Sequence, residues 1–379
     1  MRIAFISQAP TPYLTSILNE LANLADLHVI FMSGRRPAKS VDSWATFNDP
    51  WGAAPQFQYS LYRSAGLTFP GRDFHAQLSV GISFKLRRLH PDVVLVHGWG
   101  PLMAEPIVWS ALNGHRTVMW TESTSFSGLL RGRFSNRLRR ALMRLVDAFV
   151  SNGTLATEYA ETLGVGPGRI VTGRLAAPPL RVPLEPSGHR ASSGARILFV
   201  GRLVPLKRLS DLLAAFSSVH QKSPEATLTV VGDGPLRRDL EERSRAAGVE
   251  VRWLGRLEGA ELHSVYAAHD LIVVPSEREV WGLVVNEALA SGLYVVASSE
   301  VGSAHDLLGP GIGVVYQVGD VQALTALLEA TLNGLDCSPA GRAARRASVE
   351  SVTPRAFAEA MRDAANLAIS SRPSARRHD

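Results

Sequence analysis

Cys337 is the only cysteine among 379 residues. That excludes an internal disulfide framework and any zinc site built on several cysteines, and a reducing compartment fits the scarcity. Nowhere do about 18 apolar residues run together, the length a membrane-spanning helix needs. The first seven residues also hold too short an apolar run for a secretory leader. The expected location is therefore the cytoplasm, at most peripheral at the inner face of a membrane. Three chemistry-bearing patterns are absent as well. There is no G-x-x-x-x-G-K-[ST] phosphate loop, no H-E-x-x-H, and no Asp-x-Asp to bridge a metal to a diphosphate. No cofactor and no metal are expected.

What is present is an ordinary globular composition, 46% hydrophobic and 20% charged, with a formal net charge of +6 and a pI near 9.7. The excess is unevenly placed. Residues 1–180 carry 18 Lys and Arg against 11 Asp and Glu, and the remainder carries 22 against 23. An anionic partner is thus expected on the first half. Nucleic acid is disfavoured, because no recognisable reading module accompanies the basic residues.

Short apolar runs alternate with amphipathic stretches throughout, the pattern of α/β proteins with parallel sheets. Strands are expected at 3–7, 28–33, 56–61, 93–97, 117–120, 148–151 and 170–172, then at 196–200, 227–231, 251–254, 271–274, 294–297 and 313–316. Between them lies a Pro, Gly and Ser-rich stretch. The expected division is a first Rossmann-like domain over 1–178, a linker over 179–194, a second over 195–353, a helix over 354–369 and a disordered tail over 370–379.

Two glycine pairs, Gly98-Trp99-Gly100 and Gly232-Asp233-Gly234, follow strands but lack the third glycine of a dinucleotide fingerprint. Tight turns explain them, although Gly232 can still touch a nucleotide through its backbone. After the strand at 196–200 come Gly201, Arg202 and, five residues later, Lys207. Two cations at the carboxyl end of a strand suit a diphosphate, or are simply solvated. After the strand at 271–274 come Glu279, Trp281 and Gly282, then a helix starting near Leu283 and Val284 and holding Glu287. Helix-start amides suit a phosphate, and carboxylates suit sugar diols. A solvated loop acid and an exposed helix acid are the plainer alternatives.

These segments, FVGRLVPLKRLSDLLAAF (199–216), VVGDGP (230–235), WLGRL (253–257), PSEREVWGLVVNEALASG (275–292) and VGSAHDLL (301–308), resemble the retaining GT-B glycosyltransferases of family 4. The resemblance implies two Rossmann-like domains facing a cleft, with the last helix crossing back to the first. It implies a nucleotide-diphosphate sugar as donor. Arg202 and Lys207 match the basic pair that holds the diphosphate, Glu279 the acid facing the donor sugar, and Glu287 the acid on the ribose. On this basis Arg202, Lys207 and Glu279 are the expected catalytic residues. Gly282 and Leu283 match the turn whose amides meet the phosphate, with Val284 next to them, and Arg256 and Leu257 fall where the nucleobase is contacted. Trp281 replaces the usual Phe. The later G-G-x-P-E pattern reads Gly302-Ser303-Ala304-His305-Asp306 here.

The first half would then take a glycan, lipid-linked or small-molecule acceptor. Tyr13, at a Thr-Pro-Tyr helix start, and His97, closing a strand, are acceptor-side candidates. Glu122 and Ser123 stand where many relatives place a histidine. Trp44, Trp51, Tyr59, Tyr62 and Phe69 lie in a long segment expected to be irregular. Between Glu122 and Asp147 no acid occurs, and Arg133, Arg137, Arg140 and Arg144 share one helical face. Phe134, Leu138, Leu142 and Leu145 share another. This basic helix is compatible with an anionic membrane surface. Transfer of a sugar in bacterial envelope polysaccharide or glycolipid synthesis is the leading expectation. Tailoring of a secondary metabolite, a sugar-nucleotide epimerase or hydrolase, and a non-catalytic carbohydrate binder are the alternatives.

Overall fold

The computed structural model describes residues 1–32, 53–62, 65–68, 75–78, 81–98, 101–125, 133–176 and 194–371. Trp44, Trp51, Phe69, Trp99, Arg131, most of the linker and the last eight residues lie outside them. The chain divides into two compact units, Met1–Pro178 with Pro354–Asp379, and Pro179–Thr353.

The first unit runs β1 (Arg2–Ser7), α1 (Pro12–Ala22), β2 (Asp26–Phe31), β3 (Gln58–Leu61), the antiparallel pair β4 (Ala65–Thr68) and β5 (His75–Leu78), and α2 (Ile82–Leu89). It continues with β6 (Val93–His97), α3 (Pro101–Leu112), β7 (Arg116–Thr121), α4 (Arg133–Met143), β8 (Ala148–Asn152), α5 (Gly153–Thr162) and β9 (Ile170–Gly173). Seven strands form one parallel sheet in the order β3-β2-β1-β6-β7-β8-β9. The central strands read as continuous apolar runs because helices cover both faces. Right-handed crossovers put α1 on one face and α2 to α5 on the other. Proline at the first position of α1 presets its backbone without losing a needed donor. Leu14, Ile17, Leu18 and Leu21 of α1 are buried.

The segment expected to be irregular is partly sheet. The strand expected at 56–61 is β3, which holds Tyr59, and beyond it β4 with β5 forms a hairpin. Four-residue strands carry too little alternation to stand out from loop composition. Of the apolar side of α4, Leu142 packs partly buried on the core, as does Leu145 just beyond the helix. Leu138 is exposed, while Arg139 and Met143 are buried. The Arg139 guanidinium donates to the Tyr159 hydroxyl of α5 at 2.6 Å. Apolar spacing misses this facing because a buried arginine with a polar partner does not look apolar.

The second unit runs β10 (Arg196–Val200), α6 (Leu209–Lys222), β11 (Thr227–Val231), α7 (Arg237–Ala246), β12 (Val251–Gly255), α8 (Gly259–Ala267) and β13 (Leu271–Val274). Then come α9 (Leu283–Ala290), β14 (Tyr294–Ser298), α10 (Ala304–Leu307), β15 (Gly313–Tyr316), α11 (Val321–Gly334) and α12 (Pro339–Ala347). Its six parallel strands are ordered β12-β11-β10-β13-β14-β15. Leu212, Phe216, Leu228, Val230, Leu271, Leu324 and Leu328 are core residues of this unit. Below β13, the buried Asp270 carboxylate accepts from Arg196 at 3.0 and 2.9 Å and lies 3.5 Å from Arg342.

The last helix, α13 (Pro354–Ser370), belongs to the first unit. It packs beside α1 and across β7, β8 and β9. Phe357, Met361, Ala364, Ala365 and Ala368 are its buried face, with alanines allowing close approach to the sheet.

Candidate active site

In each sheet the strand order reverses beside its first strand. β10 lies between β11 and β13, and β1 between β2 and β6. Ligands of open parallel sheets bind outside the carboxyl ends of strands at such a switch point. Most of the candidate residues collect beside these two places, while Arg256 and Leu257 follow the edge strand β12.

In the second unit, β10 ends at Val200 and the chain passes Gly201 and the exposed Arg202 to a short 3-10 turn, Pro205–Lys207. Arg208 follows with φ of 47°, a left-handed conformation unusual outside glycine. Its guanidinium donates to Asp211 at 2.8 Å and lies 3.5 Å from Glu277. This links the turn to the loop after β13. Arg208 carries no mark of this role in the sequence, since a left-handed arginine has no spacing signature.

The Lys207 ammonium forms an ion pair with Glu279 Oε2. The two residues lie 72 positions apart in sequence. Both side chains are about one-fifth exposed, at 19% and 21%. The Glu279 loop is held by its backbone. Glu279 N–H donates to the Glu300 carbonyl at 3.0 Å, Gly302 N–H to the Glu279 carbonyl at 3.0 Å, and Ser303 N–H to the Trp281 carbonyl at 2.8 Å. The segment departing from G-G-x-P-E thus braces this loop with main-chain bonds and the Ser303 hydroxyl, which donates to the Gly282 carbonyl at 3.2 Å.

Gly282 caps α9 with φ of 92°, and a Cβ there would stand 2.9 Å from Glu279 Cγ. Only glycine meets both demands. The first N–H groups of α9, at Leu283 and Val284, have no acceptor within the helix, and its dipole favours an anion. Trp281 is 3% exposed and its indole N–H donates to Asn286 Oδ1 at 2.9 Å. Its ring therefore packs inward, leaving backbone as what this turn presents.

Glu287, on the second turn of α9, is partly buried. It accepts from the Tyr266 hydroxyl of α8 at 2.7 Å on Oε2. Burial pushes the Glu287 carboxyl up to about 6, against the opposing effect of that hydrogen bond. Burial and then the Glu287 charge hold the Tyr266 phenol well above its usual range. Tyr266 gives no site signal in the sequence, because a tyrosine in an amphipathic helix looks like core.

Gly232 has a structural reason of its own. With φ of 138°, a Cβ there would lie 1.8 Å from the Gly201 carbonyl oxygen. The pair lets the turns after β10 and β11 touch. Arg256, after β12, is exposed and donates to Glu258 at 2.9 Å, with the partly buried Leu257 between them.

In the first unit, Ser7 closes β1, His97 closes β6 and Glu122 follows β7. Ser7 Oγ lies 3.0 Å from His97 Nδ1. His97 Nε2 lies 3.4 Å from Glu122 Oε1, which also accepts from the Tyr13 hydroxyl at 3.2 Å. Burial and then Glu122 raise the Tyr13 phenol well above its usual range. The His97 ring stacks on Trp120 at 4.0 Å between centroids, and Phe357 of α13 packs on Trp120 at 5.0 Å. Tyr13, His97 and Glu122 are thus brought together, with Ser7 an unforeseen fourth member. Ser123 stands apart from this network, its N–H bonded to Thr121 Oγ1 at 3.1 Å.

Residues 186–346 match the family described as glycosyl transferases group 1. The chain is 30% identical to a glycogen synthase of Mycobacterium tuberculosis over 288 residues, covering 72% of this chain and 68% of that protein. It is 33% identical over 156 residues to a GDP-mannose-dependent monoacylated alpha-(1-6)-phosphatidylinositol monomannoside mannosyltransferase of Corynebacterium glutamicum, covering 39% and 41%. In structure it is similar to Anabaena HepE in complex with UDP, with a TM-score of 0.72, 17% identity, and coverage of 96% and 99%.

Proposed function

The chain belongs to the glycosyl transferases group 1 family, the retaining family 4 enzymes of GT-B fold, which use nucleotide sugars; on that premise we propose that it moves a sugar to an acceptor hydroxyl in bacterial envelope polysaccharide or glycolipid synthesis. The observation that carries the donor assignment is the convergence at the β10/β13 switch point. There Lys207 and Glu279 meet, 72 residues apart in sequence, beside the start of α9.

In this reading the donor diphosphate lies against Arg202, Lys207 and the amides of Gly282, Leu283 and Val284. Charge grows on the diphosphate as the anomeric C–O bond breaks. Preorganised donors aimed at that charge stabilise the transition state, each typically by about 3–4 kcal/mol. Glu279 orients the donor sugar and holds the lysine ammonium at the strand edge. Glu287 has Oε2 engaged by Tyr266 and keeps Oε1 for ribose hydroxyls. Arg256 and Leu257 flank the base, while Gly201 and Gly232 shape the turns beneath it.

The acceptor hydroxyl attacks from the face the diphosphate leaves, which retains the anomeric configuration, and a departing phosphate oxygen takes its proton. Tyr13, His97, Glu122 and Ser123 are the acceptor-side residues of this proposal. A lipid-linked or glycan acceptor fits a basic first half, and the lipid acceptor named for the Corynebacterium relative supports the same class.

The test is a screen of UDP-, GDP- and ADP-sugars by thermal shift, followed by kinetics with the stabilising donor. Arg202→Ala and Lys207→Ala should each lower kcat/KM at least about a hundredfold with the fold retained. Near-wild-type turnover by both would overturn the diphosphate assignment.

A further inference from the structure

Several surface arginines of this protein are neutralised by a neighbouring acid. On α7, Arg237 pairs with Glu241, Arg238 with Glu242 and Arg243 with Asp239, each at 2.9 Å. One face of the first unit is built otherwise. Helices α2 and α4 contain no acid, and the chain is acid-free over 74–91 and 123–146. The one acid of α3, Glu105, turns toward the start of α2, where Oε1 accepts from the Gly81 and Ser83 amides at 3.1 and 3.3 Å. Arg87 and Arg88 of α2, Arg137 of α4 and Arg144 just beyond it are exposed. None of the four makes an ion pair among the described residues.

The same face carries large apolar side chains in solvent. Phe84 of α2 is 71% exposed, Leu112 of α3 is 80% and Leu138 of α4 is 54%. Neighbouring contacts join α2 to α3 and α3 to α4, so these residues belong to one helical layer. Leu138 is the residue that the inward turn of Arg139 leaves outside. Arginines without acids, interleaved with a phenylalanine and leucines, combine electrostatic attraction to anionic headgroups with apolar insertion below them. A nucleic-acid surface would not need the exposed leucines, and an acidic protein groove would not need them spread across three helices.

We infer that the α2–α3–α4 face of the first unit docks on an anionic lipid bilayer. It rests on the proposed membrane-borne acceptor only for its purpose. The docking and the transfer are measured separately.

The experiment is co-sedimentation of the full chain with vesicles of equal parts phosphatidylglycerol and phosphatidylcholine, and with phosphatidylcholine alone. The wild type should pellet with the anionic vesicles at low salt and be released at high salt. Arg87→Gln/Arg88→Gln/Arg137→Gln/Arg144→Gln and, separately, Phe84→Ser/Leu112→Ser/Leu138→Ser should each bind at least about tenfold more weakly. Both should keep the wild-type circular dichroism and donor binding. Arg238→Gln/Arg243→Gln on α7 should bind vesicles like the wild type. Failure of the wild type to pellet, undiminished binding by both face variants, or an equal loss in the α7 variant would overturn the inference. So would binding to soluble polyglutamate without binding to vesicles. Vesicle binding by a protein that transfers no sugar to any lipid would leave the docking intact and remove the lipid acceptor.

Discussion

The Tyr266 hydroxyl, carried by α8, donates to Oε2 of Glu287 on α9 at 2.7 Å. It occupies one oxygen of a carboxylate whose other oxygen is assigned to the donor ribose. The tyrosine sets the rotamer and leaves the acid half-satisfied, which suits a group that must receive a ligand.

Tyr266→Phe should therefore act through Glu287. Loss of one hydrogen bond to a charged group is worth about 1.5–3 kcal/mol, so the donor KM should rise about tenfold or more. Only a small change in kcat is expected, since neither residue is placed at the reacting atoms. Initial rates over a range of donor concentrations check this. A fall in kcat at constant KM would contradict it.

Glu287 also gives a pH dependence. Its carboxyl is raised from 4.5 to about 6 in the folded protein by burial. The folded state holds this proton more tightly than the unfolded chain. The group therefore favours folding below about pH 4.5, and that contribution is lost as pH rises through about 6. Glu287→Gln should be more stable than the wild type at pH 7.5, on the order of 1–2 kcal/mol, and indistinguishable at pH 4.5. Its donor affinity should fall. Urea unfolding at the two pH values measures the first effect and calorimetry the second.

Asp270 works in the opposite sense. Burial would raise its carboxyl, but the hydrogen bonds and charge of Arg196 outweigh burial, and the net shift is downward. Its contribution to stability is present above the ordinary value of 3.8 and is lost as pH falls through the depressed one. Asp270→Ala leaves Arg196 and the buried Arg342 without their carboxylate. It should lower stability by about 3–5 kcal/mol as read from urea midpoints. An unchanged midpoint would deny the network any structural role.

Gly282→Ala should impair function out of proportion to stability. The left-handed backbone and the Cβ contact with Glu279 together should cost about 1–3 kcal/mol of folding energy. The shift of Glu279 should lower kcat/KM further than the fold suffers. Parallel kinetics and thermal unfolding separate the two.

Much of the second unit was legible in its sequence, because its central strands are short apolar runs bounded by turn residues and its candidate site residues stand just beyond strand ends or in the helix start that follows. Arg202, Lys207, Glu279 and Glu287 could be placed by that logic together with the family resemblance. Tyr266 and Arg208 could not, since their meaning lies in contacts across elements and in a backbone angle. In the first unit, the inward Arg139 and the exposed Leu138 departed from the amphipathic pattern of α4, and the short β4 and β5 strands were hidden in loop-like composition. Tyr13, His97 and Glu122 were visible only as separate strand-end or helix-start residues. Ser7, Trp120 and Phe357 gained significance once parallel pairing set β1 beside β6, β6 beside β7 and α13 across them.

The most direct test of the central claim is calorimetric titration of the full chain with a nucleoside diphosphate and with the matching nucleoside. The diphosphate should bind at least about tenfold tighter than the nucleoside, and this advantage should disappear in Arg202→Ala/Lys207→Ala while the nucleoside affinity holds. Equal affinity for the two ligands in the wild type, or an advantage that survives loss of both cations, would contradict the assignment of the β10/β13 switch point to the donor diphosphate.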